Sequence, residues 1–193
     1  MTAAMSDYLP PADGWTVDDL DALPDDGVRR ELLDGVLLVS PSPTDIHQII
    51  AGKLMVALDE SCPAEFQVTQ GVEIRISSRR SFIPDVLVAT DEAAQRRSRI
   101  YAPHEVLLAV EIVSPSSLSM DRITKHALYA AAGIPFYWRI ETTDGLVVDT
   151  FKIDPEHQIY RPTGTFNAVN SVIATDEPWE INVPLKRITP RYL

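Results

Sequence analysis

Apolar positions recur along the chain with two periods. Ile50, Leu54 and Leu58 share one face at helical spacing, with His47 on the same face. Thr44 or Asp45 can cap this segment, which predicts a long helix running to about Glu60. A second helix is expected over 120–132, closed by Gly133 and Pro135, and a short one over 17–23, capped by Thr16 and ended by Pro24. Shorter apolar runs predict strands over 65–69, 71–76, 82–89 and 106–113. Residues 29–33 and 36–40 read as a hairpin around Asp34-Gly35, and 134–140 and 146–153 as strands joined across Asp144-Gly145.

Pro41 and Pro43 break the chain before the long helix. Residues 91–103 read as a polar connection with a helical turn, Pro115-Ser116-Ser117 as a loop, and the tail from His157 as short β-like pieces broken by prolines. There is no internal repeat and no low-complexity segment. This order of elements predicts an α/β (α+β) fold with a mixed β-sheet. Residues 1–14 are expected to be a mobile N-terminal arm, and 15–193 a single domain.

Of the 193 residues, 45% are hydrophobic, enough for a substantial core. The 28 acids and 17 bases give a net charge of −11, unlike a tight, non-specific nucleic-acid binder. An enzyme acting on nucleic acid through a local basic patch stays compatible with that charge. Residues 1–28 hold seven aspartates and no base, whereas Arg79, Arg80, Arg96, Arg97 and Arg99 flank Asp85. Those arginines read as a solvated loop rather than as a DNA-contacting patch. Cys62 is the only cysteine, so neither a disulfide framework nor a thiolate zinc cluster is available; before Pro63 it reads as structural. No apolar run reaches membrane-spanning length, and the N-terminus lacks the basic start and apolar core of a signal peptide. A soluble cytoplasmic protein without membrane contact is expected.

Two acids change this picture. Asp85 lies within Phe82-Ile83-Pro84-Asp85-Val86-Leu87-Val88, and Glu111 within Val106-Leu107-Leu108-Ala109-Val110-Glu111-Ile112-Val113. An ionised carboxylate buried among such neighbours costs several kcal/mol unless a counter-charge compensates it. Either acid could face water at a strand end or pair with an arginine; alternatively, both could share one divalent cation. Strand parity puts Ala109, Glu111 and Val113 on one face, and Leu87 and Ala89 on the side of Asp85. If the strands are neighbours, the carboxylates converge. Oxygen ligands suit Mg²⁺, which would activate a water and stabilise charge on a phosphate.

A cation near such a site would help phosphodiester chemistry. Lys125, one of four lysines, falls at the edge of the apolar face of its helix, beside Leu128 and Ala132. It reads either as reaching the site or as an Asp121–Lys125 surface pair. His47 reads as a core residue or a ligand, and Glu31 as a third acid or a strand end. Tyr129, Tyr137 and Trp138 read as packing residues.

Several segments resemble the Uma-type restriction-endonuclease-like family of the PD-(D/E)XK nuclease superfamily. They are Glu31-Leu32-Leu33-Asp34-Gly35, Pro41-Ser42-Pro43 through His47-Gln48, Pro84-Asp85-Val86-Leu87-Val88 and Val110-Glu111-Ile112-Val113-Ser114-Pro115-Ser116. Asp121 through Lys125, Tyr129-Ala130, Gly133-Ile134-Pro135 and Tyr137-Trp138 complete an ordered series over about 29–140. The resemblance implies a restriction-endonuclease-like core, a central mixed β-sheet flanked by helices, and a metal-dependent nuclease site with Asp85 and Glu111 as metal-binding acids. The superfamily's lysine two residues after the second acid is Val113 here, and Lys125 looks like its replacement on the following helix. His47 looks like the family's recurrent helix histidine.

Two readings follow. One is a Mg²⁺- or Mn²⁺-dependent DNA endonuclease using Asp85, Glu111 and Lys125, with His47 and Glu31 supporting the site. The other is a catalytically inactive nuclease-fold interaction module, favoured by the acidic charge and Val113. Hydrolysis of a smaller phosphodiester is open as well. A homodimer would suit cleavage of two strands, with the β-rich tail as an interface.

Overall fold

The computed structural model describes residues 9–40, 42–114 and 120–193. The expected break at Pro41, the loop Pro115-Ser116-Ser117 and residues 1–8 of the expected arm lie outside the described residues. Thr16 caps α1 (Val17–Asp21) reciprocally: its hydroxyl accepts from the Asp19 N–H, and the Asp19 carboxylate accepts from the Thr16 N–H. Strands β1 (Arg30–Leu33) and β2 (Val36–Val39) form the expected hairpin. Its two turn residues, Asp34 and Gly35, take φ values of 50° and 85°, the paired positive values of a type I′ turn.

Helix α2 (Asp45–Asp59) buries Ile50, Ala51, Leu54, Ala57 and Leu58, the stripe its periodicity predicts. Then come β3 (Phe66–Thr69), β4 (Glu73–Ser77), β5 (Arg80–Phe82), β6 (Val86–Thr90), α3 (Asp91–Gln95) and β7 (Ile100–Tyr101). A 3₁₀ turn at Pro103–Glu105 leads into β8 (Val106–Ile112). After the undescribed loop, a π-helical turn (Met120–Lys125) passes into α4 (His126–Ala131), followed by β9 (Phe136–Glu141) and β10 (Val147–Asp154). The chain ends with β11 (Ile159–Phe166), β12 (Val172–Thr175), β13 (Ile181–Pro184) and α5 (Leu185–Ile188).

The strands form a six-stranded sheet in the order β11-β10-β9-β8-β6-β3, a five-stranded sheet β2-β1-β5-β4-β7, and the pair β12-β13. In the six-stranded sheet β8 runs parallel to β9 and antiparallel to β6, so the sheet is mixed. One of its faces packs under α2 through Val86, Val88, Leu108, Val110, Ile112 and Trp138. The other, with Leu87, Ala89, Ala109 and Tyr137, meets Tyr129 and Ala130 of α4 and Ile74 and Phe82 of the five-stranded sheet. Burial on both faces explains why β6 and β8 read as continuous apolar runs rather than alternating ones.

Three expectations need correction. The single strand over 82–89 is two strands in different sheets, β5 and β6, separated by Ile83-Pro84-Asp85. Pro84 has no N–H to give a ladder, so the chain changes sheets there. The single α-helix over 120–132 begins as a π turn, whose i→i+5 bonding widens it and rotates its side chains away from α periodicity. The tail is less broken than its prolines suggest. β11 pairs with β10 from Ile159 to Phe166 despite Pro162, because an edge strand tolerates a residue that cannot donate.

Candidate active site

The step between the two larger sheets fixes the first acid. The Asp85 N–H donates to the Val110 carbonyl of β8 at 3.0 Å, and its Oδ2 accepts from the Ile112 N–H at 2.8 Å. The carboxylate is thereby locked against β8. Arg29 Nη1 donates to Asp85 Oδ1 at 2.9 Å, and His47 Nε2 lies 3.0 Å from Oδ2. Ile83, outside any ladder, finds partners in side chains: its N–H donates to Glu31 Oε1 at 2.8 Å, and its carbonyl accepts from the Arg29 guanidinium.

Glu111 is 1% exposed. Its Oε1 accepts from the Tyr129 hydroxyl at 2.8 Å and lies 3.1 Å from Lys125 Nζ. Lys125 Nζ also lies 2.9 Å from Glu31 Oε1 and 3.8 Å from Asp121 Oδ1. The buried ammonium therefore bridges acids from β1, β8 and the π turn. The reading of Asp121–Lys125 as a surface pair is corrected: both residues are buried. Val113, at the position where the superfamily carries lysine, is buried and donates its N–H to the Ile140 carbonyl.

The charges around Lys125 act on one another. Burial alone would raise the Asp85 carboxyl, but the His47 hydrogen bond and the Arg29 charge outweigh it and bring it down to about 2. Glu111 goes the other way. Its burial raises it well above the usual carboxylate range, Lys125 opposes this, and Asp85, Asp121 and Glu31 add to the rise. Burial would lower Lys125 and Arg29, yet the surrounding carboxylates raise both, so both stay cationic.

These opposite shifts make stability peak between acid and base. Between about pH 4 and 2 the unfolded chain binds the Asp85 proton first, so about 2–3 kcal/mol is lost as pH falls. Above about pH 4.5 the unfolded chain releases the Glu111 proton first, so stability declines as pH rises. Urea unfolding across pH 2.5–8 should trace this dome. Asp85→Asn should flatten its acid limb and Glu111→Gln its alkaline limb.

A cleft of about 580 Å³ opens over these groups, walled by the β1–β2 hairpin, the start of α2 and Met120. Among the described residues, no three His, Cys, Asp or Glu side chains are already arranged as a cation cage. The donor set is nevertheless all carboxylate and fits a hard cation such as Mg²⁺. Four acids, Glu31, Asp85, Glu111 and Asp121, face two permanent cations, Arg29 and Lys125. The raised proton affinity of Glu111 comes first from its burial, and the surplus of carboxylates adds to it.

The structure thus brings Asp85, Glu111, Lys125, His47 and Glu31 to one cleft. His47 bonds to Asp85 rather than merely filling the core. Tyr137 and Trp138 pack in the core, and the Tyr137 hydroxyl also donates to the Asp121 carbonyl at 2.8 Å. Of the arginines near Asp85 in sequence, Arg79 bonds the Asp13 carbonyl, and Arg80, Arg96 and Arg99 pair with Asp34, Glu105 and Asp25. Sequence reasoning missed Arg29 and the role of the Tyr129 hydroxyl. Arg29 had one signal: it lies two residues before Glu31, on the same side of an extended segment.

The family model described as "Uma2: Putative restriction endonuclease" matches residues 17–184. No curated protein matches the chain. Among solved structures, one described as a "putative nuclease belonging to DUF820" from Anabaena variabilis is similar, with a TM-score of 0.70 and 18% identity. The match covers 90% of this chain and 96% of that one. At that identity the likeness shows the fold alone, a mixed α+β architecture. With most of its length matched by the family model, the chain belongs to the Uma2 family, described as "Putative restriction endonuclease".

Proposed function

We propose that this site hydrolyses DNA phosphodiester bonds as an endonuclease, with Mg²⁺ or Mn²⁺ as its cofactor. The observation that carries this reading is the buried Lys125 ammonium, held between Glu31 and Glu111 beside Asp85 at the base of an open cleft. Asp85 and Glu111 would hold the cation. When bound, a divalent ion supplies positive charge to the phosphate and lowers the pKa of a water.

The chain's own residues do the rest. In the reaction the water oxygen bonds to phosphorus, the bond from phosphorus to one sugar oxygen breaks, and the water's proton passes through solvent to that departing oxygen, leaving a phosphate monoester and a free hydroxyl. Lys125 stays protonated, so it acts as a donor that orients the water and offsets charge growing on the phosphate, not as the base. Glu31 positions Lys125, Tyr129 positions Glu111, and His47 positions Asp85. Among the described residues no helix is long and apolar enough to cross a membrane.

Plasmid nicking with Mg²⁺ or Mn²⁺ tests the reading. Wild type should nick, and folded Asp85→Ala, Glu111→Gln and Lys125→Ala should each lose about a hundredfold or more. Nicking that survives Asp85→Ala would place the activity elsewhere. A folded wild type that cuts no substrate would favour the inactive interaction module.

A further inference from the structure

The two oxygens of Asp85 are already engaged: Oδ1 by Arg29, and Oδ2 by His47 and the Ile112 N–H. We propose that Arg29 gates the cation site, holding Asp85 until a divalent ion takes it and then turning its guanidinium to a DNA phosphate. This rests on the reading of Asp85 and Glu111 as the cation's ligands.

Three observations support the gate. A guanidinium cannot shed its charge, so a divalent ion on Asp85 meets a fixed like charge a few ångströms away. Lys125 is walled in at 4% exposure, but the Arg29 side chain is 29% exposed and lines the cleft. Arg29 Nε is buried with no hydrogen-bond partner, so the parked guanidinium leaves one donor unused. The next carboxylate oxygen near it, Glu31 Oε1, is 3.7 Å away and already taken by Lys125 and Ile83. Once Asp85 is lost, a phosphate is the anion that the cleft would bring, and a guanidinium binds phosphate with paired N–H donors.

The gate makes substrate and metal cooperative. Without DNA, Arg29 competes with the cation; with DNA, the phosphate draws it off.

The test is Mn²⁺ binding, followed by the electron paramagnetic resonance of free Mn²⁺, with plasmid nicking at saturating Mn²⁺ alongside. Arg29→Gln should bind Mn²⁺ about tenfold more tightly than wild type and nick about a hundredfold more slowly. Arg29→Lys, which keeps the charge without the paired donors, should bind Mn²⁺ as wild type does and nick slowly. Mn²⁺ binding by Arg29→Gln that is unchanged or weaker than wild type overturns the gate. Tighter binding with unimpaired nicking overturns the phosphate contact. If Mn²⁺ binds neither wild type nor Arg29→Gln, or if Asp85→Ala and Glu111→Gln bind it as wild type does, the metal-site reading fails first.

Discussion

Lys125→Met should cost about 3–5 kcal/mol of unfolding free energy, the largest stability loss expected from any single change at this site. The substitution keeps much of the side chain's length but removes the ammonium from the centre of three carboxylates, Glu31, Glu111 and Asp121. All three are buried, so water cannot replace the lost charge. Urea unfolding at neutral pH measures the loss. Adding Glu111→Gln to Lys125→Met should recover part of it, since one unpaired carboxylate is then gone. Full additivity of the two changes would mean that the ammonium does not hold Glu111. Nicking should vanish as well, because the water and the phosphate lose their nearest buried donor.

Glu111→Gln should separate stability from activity. At pH 8 the variant should be at least as stable as wild type, since burial and three neighbouring carboxylates all disfavour the charge at this position. Its nicking should fall about a thousandfold, as expected if it removes about 4 kcal/mol of charge stabilisation along with a cation ligand. Thermal unfolding with and without Mn²⁺ completes the measurement. Wild type should gain melting temperature on adding Mn²⁺, and the variant should not. A variant less stable than wild type at pH 8 would show that the Tyr129 and Lys125 contacts outweigh the repulsion. A group kept at a thermodynamic disadvantage is the pattern of a working site rather than of packing.

Much of the site was legible because burial and charge conflict in the sequence itself. Asp85 and Glu111 stand out as acids inside apolar runs, and strand parity lets them converge if their strands are neighbours. Glu31 and His47 were visible as candidates, but residue types and periodicity could not say that their side chains meet. Lys125 was ambiguous because α periodicity puts it at a helix edge, whereas the π turn carries it inside. Arg29 was hidden for a different reason: a cation at the start of a hairpin strand looks like surface, and its partner lies 56 residues away. In the fold, the hairpin, α2 and the succession of elements along the chain were readable from local signals. The change of sheets at Pro84 and the long pairing of β10 with β11 depend on which strand lies at an edge, which no local pattern records.

The Ile83 amide offers a native reporter on the site. Its proton belongs to no ladder and is held by the Glu31 carboxylate that also holds Lys125. Solvent exchange of that one proton therefore follows whether Glu31 is seated, so a single backbone resonance reads the integrity of the candidate cleft without substrate or any added label.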